Sequence, residues 1–423
     1  MKSRSELSRR QLLHTALAAP VVSAMGLRAE ALAAGPASVV QQAPTAASHL
    51  PTPLYARLGV KTFINAYGTL TTLSGSLMPA EVTQAMEEAS KQFVQIHDLQ
   101  ARVGERLAEL TGAEAAFVTA GAAAGMCLSA CAVTAGDDPV KMEQLPDLTG
   151  MKSEFIIQKV HRTAYDRAFR MVGVKLIEVE TAEDVRRAIS PRTAALAMIL
   201  SHNHLGHKVE LEEMIDLAHG AELPLILDAA AELPPAENLS KFVKLGADLV
   251  MFSGGKNLRG PQCSGLLLGR KDLILKAYAN SSPHNRFARI AKVGKEEIVG
   301  LLTAVELFLK RDDAAERRKH HATLERVAER LKGAPTVVTE FITNDDYSHS
   351  PRLSVQWNEE KVGVSLDQMM DRLLNGDPAI VATDMTKYRP NWTRGIGIFP
   401  YNLRPGEEII VADRVRQILT TGN

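Results

Sequence analysis

Apolar residues along this chain recur at two spacings, and the alternation between them is the first guide to its fold. From Leu54 onward, residues 79–94 carry an apolar stripe at helical spacing, opened by Pro79 near the first turn, and 101–111 continue as a second helix. Short runs rich in Val, Ile and Leu then recur at 115–118, 155–158, 174–178, 194–200, 223–227, 249–252 and 265–268. Helical spacing returns between several of them, at 181–189, 211–221 and 236–244. Strands that are apolar throughout and alternate with helices predict an α/β fold with a mainly parallel sheet buried on both faces. Residues 294–331 predict long, highly charged helical sequence leading into a smaller C-terminal α+β unit over 336–423.

The first residues follow another pattern. Lys2, Arg4, Arg9 and Arg10 precede an uncharged apolar stretch from Leu12 to Leu27, and Ala31 and Ala33 flank Leu32 as a small-x-small cleavage signal. The string Ser8-Arg9-Arg10-Gln11-Leu12-Leu13 resembles the twin-arginine (Tat) export motif, without the Phe and Lys usual after the arginines. The run falls short of the roughly 20 apolar residues of a membrane span and is broken by His14 and Pro20. The expected division is a signal peptide over 1–33, an Ala/Pro/Gln/Ser-rich linker over 34–53, a large domain with an N-terminal arm over 54–310 and a small domain over 311–423. A periplasmic or secreted protein that meets the Tat translocon follows from this layout.

Composition narrows the partners. Lys+Arg and Asp+Glu each number 49, so the formal charge of zero gives no whole-chain pull toward nucleic acid or anionic membrane. Cys127, Cys131 and Cys263 lack CxxC or zinc-finger spacing and are expected as buried small residues; a redox pair of Cys127 and Cys131, one helical turn apart, is the alternative.

In an open parallel sheet, ligands gather at the carboxyl ends of strands, so the residues just after the apolar runs carry the chemistry. Thr119, Gly121 and Ala122 stand in a Gly/Ala-rich turn that follows a strand and opens a helix. Small side chains there let an anion reach backbone N–H groups and the positive end of a helix dipole; plain close packing uses the same residues. Asp228 ends the next informative strand, and a buried carboxylate needs a cation, such as a protonated pyridine nitrogen, unless it caps a helix. Lys256, in Ser253-Gly254-Gly255-Lys256, follows another strand. Its glycines clear steric room, desolvation frees the amine's lone pair for an aldehyde, and Ser253 can turn its hydroxyl to the same phosphate. A phosphate turn, an aspartate and a lysine in that order, each after a strand, point to one cofactor site.

That order, with Ile64-Asn65-Ala66-Tyr67-Gly68-Thr69 and residues 110–116, 228–235, 253–262 and 293–297, resembles the selenocysteine-synthase-like branch of fold-type-I pyridoxal-phosphate (PLP) enzymes. Within that branch it is most similar to the D-glucosaminate-6-phosphate ammonia-lyase-like members, over nearly the whole chain after the linker. The resemblance implies an aspartate-aminotransferase-like large domain, PLP held as a Schiff base on Lys256, Asp228 at the pyridine nitrogen, and Gly121, Ala122 and Ser253 at the phosphate. It also implies a homodimer or higher homo-oligomer and α,β-elimination from an amino acid or amino sugar acid through an α-carbanion. Racemase, aminotransferase or aldolase chemistry uses the same residues, and a periplasmic PLP- or ligand-binding protein is the non-enzyme alternative.

Further candidates follow from position. His161, after the strand at 155–158, is where fold-type-I enzymes place a flat side chain over the cofactor ring; a solvated turn is its other reading. His202, His204 and His207 lack a carboxylate or cysteine to complete a metal set, so no metal is expected and His204 is taken as a substrate contact. For the substrate carboxylate a guanidinium from the small domain is expected, Arg394 first and Arg352 second.

Overall fold

The computed structural model describes residues 52–201, 206–343, 351–387 and 394–421. The expected signal peptide, nearly all of the linker, and His202, Asn203 and His204 lie outside these residues. In chain order the strands are β1 (Phe63–Asn65), β2 (Ala115–Thr119), β3 (Glu154–Gln158), β4 (Lys175–Val179), β5 (Thr193–Ile199), β6 (Leu225–Asp228), β7 (Leu249–Ser253) and β8 (Gly265–Gly269). They are followed by β9 (Val338–Ile342), β10 (Arg352–Gln356), β11 (Ala379–Val381), β12 (Thr383–Asp384) and β13 (Ile396–Ile398).

Strands β2 to β8 form one sheet in the order β2-β8-β7-β6-β5-β3-β4, and each of the seven apolar runs of the sequence supplies one of them. All run in one direction except β8, which is antiparallel to both neighbours. Successive side chains enter opposite faces: in β7, Val250 and Phe252 join one buried cluster while Leu249 and Met251 join another. Burial on both sides is why these strands, apart from the edge strand β4, read as continuous apolar runs instead of alternating ones. The helix Ala122–Thr134 is itself buried along most of its length and so is apolar on every side.

Two helical segments differ from the expected spans. Residues 294–331 divide into Lys295–Leu309 and Asp313–Leu331, because Asp312 leaves the helix and its side chain accepts a bond from the Ala315 N–H (2.9 Å), capping the second helix. The helix expected over 79–94 stops at Ser90, and the next begins at Ile96 instead of 101. Phe93 and Val94, which prolonged the apolar pattern, face solvent.

Toward the C-terminus, β12-β13-β10-β9 form an antiparallel sheet whose core includes Leu353, Val355, Ile396 and Ile398. β1 pairs in parallel with β11, joining the N-terminal arm to this part of the chain. Cys127 and Cys131 are buried as expected, whereas Cys263 is exposed because it sits in the loop before β8. No helix among the described residues is long and apolar enough to cross a membrane.

Candidate active site

The carboxyl ends of the parallel strands bring the three sequence motifs to one rim. Thr119 ends β2 and Ser253 ends β7, and both pair with Gly265 of β8, which lies between them. A Cβ at Gly265 would sit 2.5 Å from the Gly121 carbonyl carbon and 2.7 Å from the Ala122 nitrogen. Only a residue without a side chain lets the turn cross the sheet edge there. Gly121, at the cap position of the helix Ala122–Thr134, has φ 103°, and the space beside its Cα is open. The positive end of the helix dipole is thereby set beside the strand row ending in Ser253, an arrangement that suits a phosphate. Thr119 Oγ1 donates to the Gly121 carbonyl (2.9 Å) and lies 3.2 Å from that of Gly265, so this hydroxyl shapes the turn.

Past β7 the chain folds back on itself to present Lys256. Gly254 N–H donates to the Ser264 carbonyl (2.9 Å), Gly260 N–H to the Gly254 carbonyl (2.8 Å) and Arg259 N–H to the Lys256 carbonyl (2.9 Å). Added Cβ atoms would come within 2.0 Å of Ser264 Oγ at Gly254 and 2.6 Å of Gln262 Cα at Gly255. The room these glycines leave is therefore taken up by the loop's own return, a different reason from the ligand clearance read in the sequence. The N-terminal arm secures the loop from outside: Ser76 Oγ donates to the Gly255 carbonyl (3.0 Å). Asn65 Oδ1 accepts from the N–H groups of Tyr67 and Gly68 (both 3.0 Å), and Asn402 Nδ2 donates to the Gly68 carbonyl (3.0 Å).

Asp228, the last residue of β6, is buried, and its Oδ1 accepts from the Ala230 N–H (3.0 Å). Burial pushes its carboxyl above the usual range while the charge of Lys256 pulls it back. For Lys256 burial pushes the amine down, opposed by Asp228 and then by Glu232. Amine and carboxylate thus influence each other, yet among the described residues they form no ion pair within 4.0 Å. Such a pair suits PLP, whose aldehyde Lys256 would take and whose protonated ring nitrogen Asp228 would pair with. Glu232, buried in the turn after β6, was not singled out in the sequence. Its signal is a carboxylate four residues past Asp228 in an otherwise apolar run.

The remaining candidates divide. His161 is fully buried in a short helical turn after β3, its ring 6.1 Å from that of His207, so the solvated-turn reading is excluded. His207 faces Glu210 (2.9 Å). Arg394, the first choice for the substrate carboxylate, is exposed and its Nε donates to Glu359 (2.9 Å). Arg352 is buried with its guanidinium 5.4 Å from the Phe399 ring, and Phe399 N–H bonds to the Ala66 carbonyl (2.8 Å) of the arm that braces the Lys256 loop.

A seven-stranded, mainly parallel sheet with a half-buried lysine and a buried aspartate on the same rim as a glycine turn that opens a helix defines a PLP-dependent enzyme of the aminotransferase-like fold. The chain belongs to the family described as SelA: L-seryl-tRNA selenium transferase, which it matches over residues 63–366. It is 31% identical over 379 residues to D-glucosaminate-6-phosphate ammonia lyase of Salmonella typhimurium, covering 86% of this chain and 97% of the relative. It is 30% identical to 5'-C-glycyluridine monooxygenase-decarboxylase of a Streptomyces species, over 86% and 92% of the two chains. A solved structure of D-glucosaminate-6-phosphate ammonia-lyase superposes with a TM-score of 0.76 at 30% identity, over 88% of this chain and 100% of the other. A cysteine desulfurase from Escherichia coli shares the fold at a TM-score of 0.55 and 18% identity.

Proposed function

We propose that this chain is an exported PLP-dependent lyase that removes ammonia from an amino acid or amino sugar acid by α,β-elimination. The observation that carries the reading is the half-buried Lys256 and the buried Asp228, which act on each other across the rim without closing an ion pair. PLP, when bound, supplies an aldehyde for covalent attachment and a ring that draws electrons from the substrate's Cα. Lys256 would hold the aldehyde carbon until the substrate's amine displaced it, and its lowered proton affinity suits the freed Nζ to accepting the Cα proton. With PLP bound, Asp228 would keep a proton on the ring nitrogen, Gly121, Ala122 and Ser253 would hold the phosphate, and His161 would serve the ring. Arg352 pairs its two forked donors with the substrate carboxylate. Loss of the Cα proton and a Cβ hydroxyl, then hydrolysis, yields a 2-oxo acid and ammonium with no outside oxidant or reductant.

Similarity to an enzyme named for ammonia release from a phosphorylated amino sugar acid supports this substrate class. A seryl-tRNA substrate is disfavoured by the charge balance of 49 against 49, and the chain spans 56% of the length of the related selenium transferase of Mannheimia succiniciproducens. A screen of D- and L-amino acids and amino sugar acids is expected to release equal amounts of ammonia and 2-oxo acid from at least one β-hydroxylated compound. Inverted chirality without ammonia, or carbon dioxide release with oxygen uptake, would reject elimination. Exposed Leu77, Met78, Phe93 and Val94 on the arm offer apolar surface for a homodimer. For export, Arg9→Lys with Arg10→Lys is expected to leave the precursor in the cytoplasm; fractionation that finds it exported as before would remove the twin-arginine route.

A further inference from the structure

Beside the loop that carries Lys256 lies a cavity of about 460 Å³, walled by Asn257 and Arg259 of that loop together with Phe308, Arg311, His320 and Tyr401. No residue of the phosphate turn lines it, nor do Asp228 or Lys256. The hydrogen-bond acceptors of its two half-buried arginines are backbone carbonyls: Arg259 Nη2 donates to that of Tyr401, and Arg311 Nη1 to that of Asn257 (3.3 Å). Neither makes an ion pair within 4.0 Å among the described residues. The Arg311 guanidinium stands 5.0 Å from the centre of the Phe308 ring, which leaves its remaining donors without a carboxylate. Lys241, Arg259, Arg311 and Arg317 are four cationic groups around the cavity against three anionic ones, Glu237, Asp313 and Glu316. Of these three, Asp313 accepts from the Ala236 N–H (2.5 Å), and Glu316 lies 3.9 Å from both His320 and Lys319.

We infer that this cavity is a second anion-binding site, in which Arg259 and Arg311 together take a phosphate-class oxyanion of a small molecule. Two like charges held partly out of bulk water, opposed by Glu316 and Asp313 without a direct ion pair, are unfavourable, and a tetrahedral oxyanion accepts from both guanidinium forks at once. The surroundings report the same positive field: burial, with Arg259, Lys319 and Arg311, pushes His320 down to about 4 against the pull of Glu316. His320 is therefore neutral at pH 7 and offers the anion one N–H. Arg259 lies three residues from Lys256 on one loop, so an occupied cavity also stiffens the segment that presents the amine. The inference is independent of the elimination reading.

Titration calorimetry with inorganic phosphate on the full chain, already loaded with PLP so that the Gly121 turn is filled, is expected to find one saturable site. Arg311→Gln and Arg259→Gln are expected to weaken it roughly tenfold or more, the loss of a charge-assisted bond, and Arg311→Lys to restore part of it. The PLP absorbance and melting temperature of the Arg311 variants stay as in the parent chain. Absence of saturable binding, or equal affinity in Arg311→Gln, overturns the inference. Malonate serves as the parallel probe: binding tighter than phosphate and lost in the same variants would overturn the phosphate class in favour of a dicarboxylate.

Discussion

Lys256→Ala yields a folded protein to which PLP no longer attaches covalently. After borohydride reduction and proteolysis, mass spectrometry is expected to find the pyridoxyl group on the Lys256 peptide of the parent chain and on no peptide of the variant. Turnover falls by roughly 10⁴-fold or more, since attachment and proton transfer at Nζ are lost together. Stability changes little because burial already disfavours the ammonium. What does change is Asp228, which loses the charge that held its proton affinity down. A carboxyl whose folded-state pKa is raised contributes stability below its unfolded value and loses it as the pH climbs through the folded value. The melting temperature of Lys256→Ala should therefore decline as pH rises from the ordinary carboxylate range, and Lys256→Ala with Asp228→Asn should not show this decline. An adduct on another lysine of the parent chain would dismantle the proposed site.

The large sheet was legible because burial on both faces leaves an apolar run where a strand passes through the interior, and all seven runs became its strands, the edge strand β4 with exposed Lys175 and Glu178 being the least continuous. The meeting of Gly121, Asp228 and Lys256 was legible for a related reason: parallel strands deliver their carboxyl ends to the same rim, although β2, β6 and β7 stand there in the order β2, β7, β6. Contacts between distant segments leave no such trace. Nothing near Asn65 announces its pairing with Val381, and nothing near Gly265 announces the turn at Gly121 that crosses it. Arg352 and Arg394 flank similar short strands, and only packing decides that one lies against Phe399 while the other faces Glu359. Glu232 stayed hidden because a carboxylate in a turn ordinarily faces water; the fold of residues 229–235 buries it.

Asp228→Asn separates the two roles open to this carboxylate. The amide oxygen of asparagine can still accept the Ala230 N–H bond, so the turn after β6 survives the exchange. The ionised form is lost, and with it the charge that keeps a proton on the ring nitrogen. A drop in kcat of about 10²–10³-fold is expected, equivalent to ~3–4 kcal/mol of barrier. KM should move far less, because the substrate carboxylate is bound elsewhere. Without cofactor the same variant should melt at least as high as the parent chain at pH 7, since the ionised carboxylate is held there against its own burial. A purely structural aspartate gives the opposite pattern: a lower melting temperature with kcat nearly intact. Measuring both quantities on one preparation decides whether Asp228 is there for the turn it closes or for the proton it holds.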